Sequence, residues 1–161
     1  MNKKILLTFL IVLTSFFAQG QITLTTTSSS GSWSPALVTN SGNQLTWTAA
    51  SNGDFLGQIE NADDPTFDFS ANVNNNPISI TITNAGNDFS ELTAFDFWND
   101  NGVGSSIIDI DVSKATSLTD LSTRFNFLTQ LDVTQNTQLT VLNVRSYGQL
   151  SSGLDVSPKA V

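Results

Sequence analysis

The sequence contains no cysteine and no histidine. Because disulfides need cysteine, the stability of this chain has to come from packing and hydrogen bonding alone. The absence of histidine removes the commonest general base and metal ligand, and with it every Ser-His-Asp or Cys-His catalytic arrangement. Glu60 and Glu91 are the only glutamates, and no arrangement suited to glycoside hydrolysis is apparent. We therefore expect neither an enzyme nor a bound cofactor.

Charged residues are also few, at 12% of the chain, and most of them are acidic. Six Lys and Arg residues stand against fourteen Asp and Glu residues, which gives a formal net charge of −8. A surface so short of positive charge does not suit nucleic acid or an anionic membrane as a partner. The rest of the polar surface has to consist mainly of Ser, Thr, Asn and Gln, a composition that suits secreted β proteins.

The only long apolar run lies at the N-terminus. Lys3 and Lys4 precede apolar residues 5–17, and residues 18–20 form a small-residue cleavage site. The run is shorter than the roughly 17 to 25 apolar residues that a membrane span needs, so it predicts a signal peptide over residues 1–20. We expect a secreted, extracellular or cell-surface protein that does not insert into a membrane after signal removal.

Residues 21–77 have the alternation and turn chemistry of β structure. Residues 22–25, 44–48 and 67–70 alternate apolar and polar side chains, and Gly-rich and Asn-rich turns separate them. This segment is predicted to be an N-terminal β cap that covers the first coil of the following repeats, or else a small independent β domain. Alternation with Leu45 places Trp47 in the core, whereas Trp33 is a candidate platform for stacking on a sugar ring.

Residues 78–161 carry an internal repeat. Leu118 and Leu139 lie 21 residues apart, as do Leu121 and Leu142. The pattern L-x-x-L-x-V-x-x-N occurs at residues 128–136, and a looser copy at residues 92–100 precedes the copy at residue 118 by 26 residues. A period of about 20 to 29 with this pattern is the leucine-rich-repeat signature. We therefore predict a mainly β fold, a leucine-rich-repeat solenoid of short parallel strands with few or no helices. Since no closing repeat follows residue 157, we expect the chain to be a fragment.

Two stretches carry a resemblance to a known family. LTQLDVTQNTQLTVLNV and IIDIDVSKATSLTDL resemble the units of secreted bacterial leucine-rich-repeat surface proteins, which run L-x-x-L-D-V-S-x-N. The resemblance covers residues 107–157 well, residues 78–106 loosely and residues 21–77 not at all. It implies export and a role in surface attachment or protein binding without catalysis, but it does not identify a ligand.

One set of equivalent positions in the repeats forms a candidate ligand-binding stripe. Trp98, Arg124 and Arg145 occupy the same position in successive repeats, and Asp96, Ser122 and Asn143 lie two residues before them. Trp and Arg dominate the binding energy of many protein interfaces, which favours a binding role. In the alternative interpretation, Trp98 covers the neighbouring insertion and the arginines offset acidic neighbours.

Aspartates recur at a second set of equivalent positions. Asp111, Asp132 and Asp155 each lie between two apolar residues, so they are predicted to point outward and to form a ladder across stacked strands. Such a ladder is a candidate cation site, because hard ions need several oxygen ligands. Hydrogen bonding to Ser113, Thr134 and Ser157 is the favoured alternative, and we assign no metal site.

Together these features predict a secreted or cell-surface leucine-rich-repeat protein that mediates protein–protein interaction or adhesion through the solenoid face. The expected partner is an extracellular protein or glycan. An extracellular carbohydrate-binding β domain, with the repeats as scaffold, is the alternative, and a structural spacer is a third interpretation.

Overall fold

The computed structural model describes residues 20–35, 37–39, 45–84, 89–97, 106–144 and 153–155. The predicted signal peptide therefore lies almost wholly outside the described residues. The described part consists of strands and turns, without a helix. The strands are β1 (Ile22–Thr26), β2 (Leu37–Thr39), β3 (Leu45–Ser51), β4 (Asp54–Ile59), β5 (Ile78–Asn84), β6 (Ala94–Asp96), β7 (Ile107–Asp111), β8 (Asp120–Ser122), β9 (Gln130–Asp132), β10 (Val141–Asn143) and β11 (Gly153–Asp155).

The largest sheet has five strands in the order β4-β3-β5-β1-β7, and each pair in it is antiparallel. Its strands alternate as the sequence predicts, so that Trp47 of β3 lies opposite Ile82 of β5 with both side chains buried. Asn52 and Gly53 join β3 to β4 with φ values of 52° and 88°. Two positive φ values are what a two-residue hairpin turn matched to the strand twist requires.

The predicted fold class, a leucine-rich-repeat solenoid of parallel strands, is wrong, because the main sheet is antiparallel. β5, which the sequence analysis places at the start of the repeats, pairs with β1 and β3 instead. β7 contains the first aspartate of the predicted ladder, yet it pairs antiparallel with β1. The repeat spacing shows which positions are equivalent, but it does not determine which partner a given strand takes.

Parallel pairing is found in the remaining sheets. β6, β8 and β10 pair in parallel, with β2 antiparallel at the edge next to β6, and β9 pairs in parallel with β11. Phe95 of β6 lies opposite Leu121 of β8, which lies opposite Leu142 of β10. The two offsets are the 26 and 21 residues that separate the motif copies in the sequence. The predicted equivalence of these three positions is confirmed.

The connecting segments between the short strands, which we call arcs, also make equivalent hydrogen bonds in successive copies of the motif. The amide of Leu118 donates to the carbonyl of Ala115 at 3.1 Å, and 21 residues later Leu139 donates to Asn136 at 3.0 Å. The Thr140 hydroxyl donates to the Thr119 carbonyl at 3.1 Å. The Thr119 hydroxyl makes the equivalent contact, at 3.0 Å, with the carbonyl of Thr93. The copies of the motif thus have the same local structure as well as similar sequences.

A single hydrophobic cluster joins the antiparallel sheet to the parallel strands. Trp47 is buried, as its alternation with Leu45 predicts. Most apolar positions of the predicted motif are also buried, and Leu142 and Val144 are partly buried; the buried ones are Leu92, Phe95, Phe97, Leu118, Leu121, Leu128, Leu131, Val133 and Leu139. The two kinds of sheet therefore share one core.

Candidate functional site

The outward side of β6, β8 and β10 forms the candidate site, which we call the parallel face. Side chains alternate along a strand, so the residues on either side of a buried position point outward. The outward side chains form two rows that run across the three strands, and Arg124 lies two residues after Ser122 of the second row. The rows are Ala94, Asp120 and Val141, then Asp96, Ser122 and Asn143.

Arg124 lies across the second row and contacts two of its members. Its Nη2 atom is 4.0 Å from Oδ2 of Asp96, with the two side chains 29% and 28% exposed. Its Nε atom donates to the Ser122 hydroxyl at 3.3 Å. The other carboxylate oxygen of Asp96 is buried and has no hydrogen-bond partner within the described residues. A buried acceptor without a partner is costly, and within the described residues the ionic contact of this half-buried side chain is the one with Arg124.

A buried asparagine fixes the backbone next to Arg124. Asn126 Nδ2 donates to the carbonyl of Phe97 at 2.7 Å and to that of Arg124 at 3.3 Å. Its Oδ1 atom accepts from the amide of Ile107 at 3.2 Å. The chain can then pass through Phe125 with a φ of 61°, a conformation that is rare for a residue with a side chain. The position of Arg124 therefore depends on a network that reaches two neighbouring arcs.

The structure brings together three of the five predicted binding residues. Asp96 and Asn143 lie in one row, Arg124 contacts Asp96, and Asn143 is exposed. Trp98 and Arg145 lie outside the described residues. Val141, which the sequence analysis does not single out, is 50% exposed on the same face. Its exposure follows from the same alternation, because Val141 is opposite Asp120 in the first row.

The structure places two of the three aspartates of the predicted ladder opposite each other. Asp132 lies opposite Asp155 in the two-stranded parallel sheet, but Asp111 lies opposite Thr23 in the antiparallel sheet. The pairing with β1 uses one edge of β7, and β7 also lies next to β9, the strand of Asp132, so the three-step ladder stays a prediction. Within the described residues no group of three or more Asp and Glu side chains is placed to hold a metal ion.

The hydrogen-bonding interpretation of these aspartates is confirmed for two of them. Asp111 Oδ1 accepts from the amide of Ser113, and Asp132 Oδ1 accepts from the amide of Thr134, both at 2.8 Å. Hydrogen bonds from the backbone and side chain of Thr134 lower the pKa of Asp132. Asp111 and Asp132 each stabilise the turn that follows their own strand.

Trp33 does not provide the predicted sugar platform. The side chain is only 2% exposed, and its ring packs against Phe69 and Phe67 at centroid distances of 5.6 and 6.2 Å. The amide of Trp33 also donates to the Phe67 carbonyl at 2.7 Å. The ring belongs to the core. The residues around Trp33 do not predict to which side its side chain points.

The structure shows one groove that the sequence analysis missed, which we call the turn groove. It has a volume of about 370 Å³ and lies between the β3–β4 turn and the loop of residues 68–76. Sequence analysis identifies both segments as turns, but it gives no sign that they face each other. The lining residues are Ser51, Asn52, Asp54, Leu56, Asp68, Phe69, Ala71, Asn72 and Asn76.

Comparison of the chain with protein-family models, with curated proteins and with solved structures gave no match. The part of the chain that the structure describes contains no helix long and apolar enough to cross a membrane. The resemblance to leucine-rich-repeat surface proteins therefore stays a prediction from the motif, and the geometry has to carry the functional argument.

Proposed function

We propose that this protein is an exported interaction module that binds another extracellular protein through the parallel face. The observation that carries the proposal is the placement of Arg124 across a row of polar side chains, in contact with Asp96 and Ser122. The row comes from three strands whose register is fixed by the buried Phe95 and Leu121. A fixed arrangement of this kind reduces the ordering cost of binding.

The face carries Arg124 beside two aspartates, Asp96 and Asp120, so a carboxylate of the partner would bind at Arg124 and not across the rest of the face. Arg124 and Lys114 are the cationic side chains within the described residues, in a chain with a net charge of −8. A guanidinium presents paired donors that match a carboxylate, and arginine is enriched where binding energy is concentrated. The exposed Val141 adds apolar contact area two residues before Asn143. The combination suits a protein surface with an acidic group beside an apolar patch.

Binding of the full chain to immobilised mucin, fibronectin and collagen, measured by biolayer interferometry, tests the proposal. Arg124→Glu should weaken binding to at least one of them by tenfold or more, which corresponds to about 1.4 kcal/mol. Lys114→Glu makes the same charge change at an exposed turn after β7 and should leave binding unchanged. Equal losses in the two variants, or no binding to any of the three proteins, would contradict the proposal.

A further inference from the structure

We infer that the turn groove is a second, independent binding site that takes a neutral hexopyranose unit of an extracellular glycan. Its volume of about 370 Å³ lies within the range of about 300 to 1,000 Å³ that is common for small-molecule sites. The groove contains no residue of the parallel face. Its function is therefore separate from the proposed protein binding.

A β-bulge supplies an exposed apolar side chain at the groove. Ala49 lies opposite Gly57 and Ala50 lies opposite Phe55, so Leu56 is the extra residue between the two pairs. A bulge re-aims the side chain of the extra residue, and Leu56 is 47% exposed while lining the groove. Leu56 is the exposed apolar side chain that lines the groove and gives a surface for the C–H face of a sugar ring, with the buried Phe69 contributing only at its edge.

Hydrogen bonds within the protein hold the loop of residues 68–76, which forms the opposite wall of the groove. Asn72 Nδ2 donates to the carbonyls of Ser28 and Asn76, both at 2.9 Å, and its Oδ1 accepts from the amide of Asn76 at 3.0 Å. Asn75 Nδ2 donates to the Thr27 carbonyl at 3.1 Å. These bonds tie the loop to the segment after β1. Little conformational entropy is then left to lose on binding.

The polar groups of the groove match the hydroxyls of a neutral sugar. Asp54 and Asp68 offer carboxylates, which accept hydrogen bonds, and Asn52 and Asn76 offer amides, which both donate and accept. Hydroxyl groups need partners of both kinds. Hydrogen bonds from the side chain and backbone of Ser70 lower the pKa of Asp68. None of the described residues that line the groove is cationic, so the two carboxylates would repel an anionic sugar.

Affinity electrophoresis of the full chain in gels that contain laminarin, soluble starch or galactomannan tests the inference. We expect at least one of these neutral polysaccharides to retard the protein and the anionic polysaccharide alginate not to do so. Asp54→Ala and Leu56→Ser should each weaken retardation by tenfold or more. Asp63→Ala removes an exposed carboxylate that does not line the groove, and it should have no effect.

Several results would overturn the inference. These are no retardation by any neutral polysaccharide, stronger retardation by alginate, or equal effects of Asp54→Ala and Asp63→Ala. Circular dichroism of each variant separates loss of binding from loss of folding. Arg124→Glu should leave retardation intact, so failure of the sugar site and failure of the protein-binding face give different patterns. Chemical shift changes at Asp54 and Asp68 on addition of a laminarin oligosaccharide provide the second readout.

Discussion

The antiparallel sheet and the parallel strands differ in which groups form hydrogen bonds with their backbone. β1, β3, β4 and β5 are five to seven residues long, so neighbouring strands satisfy most of their backbone groups. The parallel strands β6, β8 and β10 have only three residues each, and more of the chain lies in the arcs between them. There, buried side-chain amides take over part of the hydrogen bonding.

Asn136 shows this difference most clearly. It is 1% exposed, and its Nδ2 donates to the carbonyls of Val112 and Ala115 at 2.9 and 2.7 Å. In the antiparallel sheet Thr23 and Thr25 of β1 lie on the outer face, and Thr26 at the end of the strand is buried and accepts from the nearby Ser28 amide at 3.1 Å. The comparison teaches that the antiparallel part depends mainly on its apolar and aromatic core, whereas the parallel part also depends on a few buried asparagines.

The largest expected effect comes from truncating the centre of the antiparallel core. Trp47→Ala should lower the free energy of unfolding by about 3–5 kcal/mol, because it leaves a cavity. It also removes the hydrogen bond from Nε1 to the Ala62 carbonyl at 2.7 Å. Urea unfolding measures the change. Val73→Ser, at a side chain that is 76% exposed, should stay within about 0.5 kcal/mol of the unmodified chain.

Asn136→Ala should have the next largest effect. It removes two buried hydrogen bonds, each worth about 0.5–1.5 kcal/mol, although the Val112 and Ala115 carbonyls still accept from the backbone amides of Ala115 and Leu118. Asn72→Ala is the matched change in the antiparallel half, since Asn72 also makes several hydrogen bonds but is only half-buried. Urea unfolding should therefore show the smaller loss for Asn72→Ala. A loss as large as that of Asn136→Ala would remove the distinction between the two halves.

The smallest expected effect is on the pH dependence of stability, and it should be similar in the two halves. Hydrogen bonds to the following turn lower the pKa of Asp68 in one half and of Asp132 in the other. A lowered pKa in the folded state stabilises the protein above the ordinary aspartate value of 3.8, and this stability is lost as the pH falls through the folded value.

Carboxyl carbon shifts followed by NMR during acid titration measure both values in one experiment. Both residues should titrate below the unfolded-state value. Asp132→Asn should make melting less sensitive to acid. An Asp132 that titrates at or above the unfolded-state value would show that the hydrogen bonds from Thr134 do not form in solution.

Much of the local structure is predictable from the sequence, whereas the partner of each strand is not. Alternation correctly predicts that Trp47 is buried, and the repeat spacing predicts the pairing of Phe95, Leu121 and Leu142. The antiparallel pairing of β7 with β1 is missed, because similar motifs favour stacking on each other and carry no information about a competing strand edge.

The two candidate sites also differ in whether the sequence predicts them. The row of Asp96, Ser122 and Asn143 follows from the repeat register, so sequence analysis identifies its three members. The turn groove depends on a β-bulge that exposes Leu56 and on two distant turns that face each other. Neither feature leaves a periodic signal in the sequence.

The most direct test of the account is whether the antiparallel and parallel parts unfold as one unit, because one hydrophobic cluster joins them. Native-state hydrogen exchange should give the amides of Trp47 in β3 and Leu121 in β8 the same free energy of opening, equal to that of global unfolding. A clearly lower value for Leu121 would mean that the parallel strands open on their own, and it would contradict a shared core.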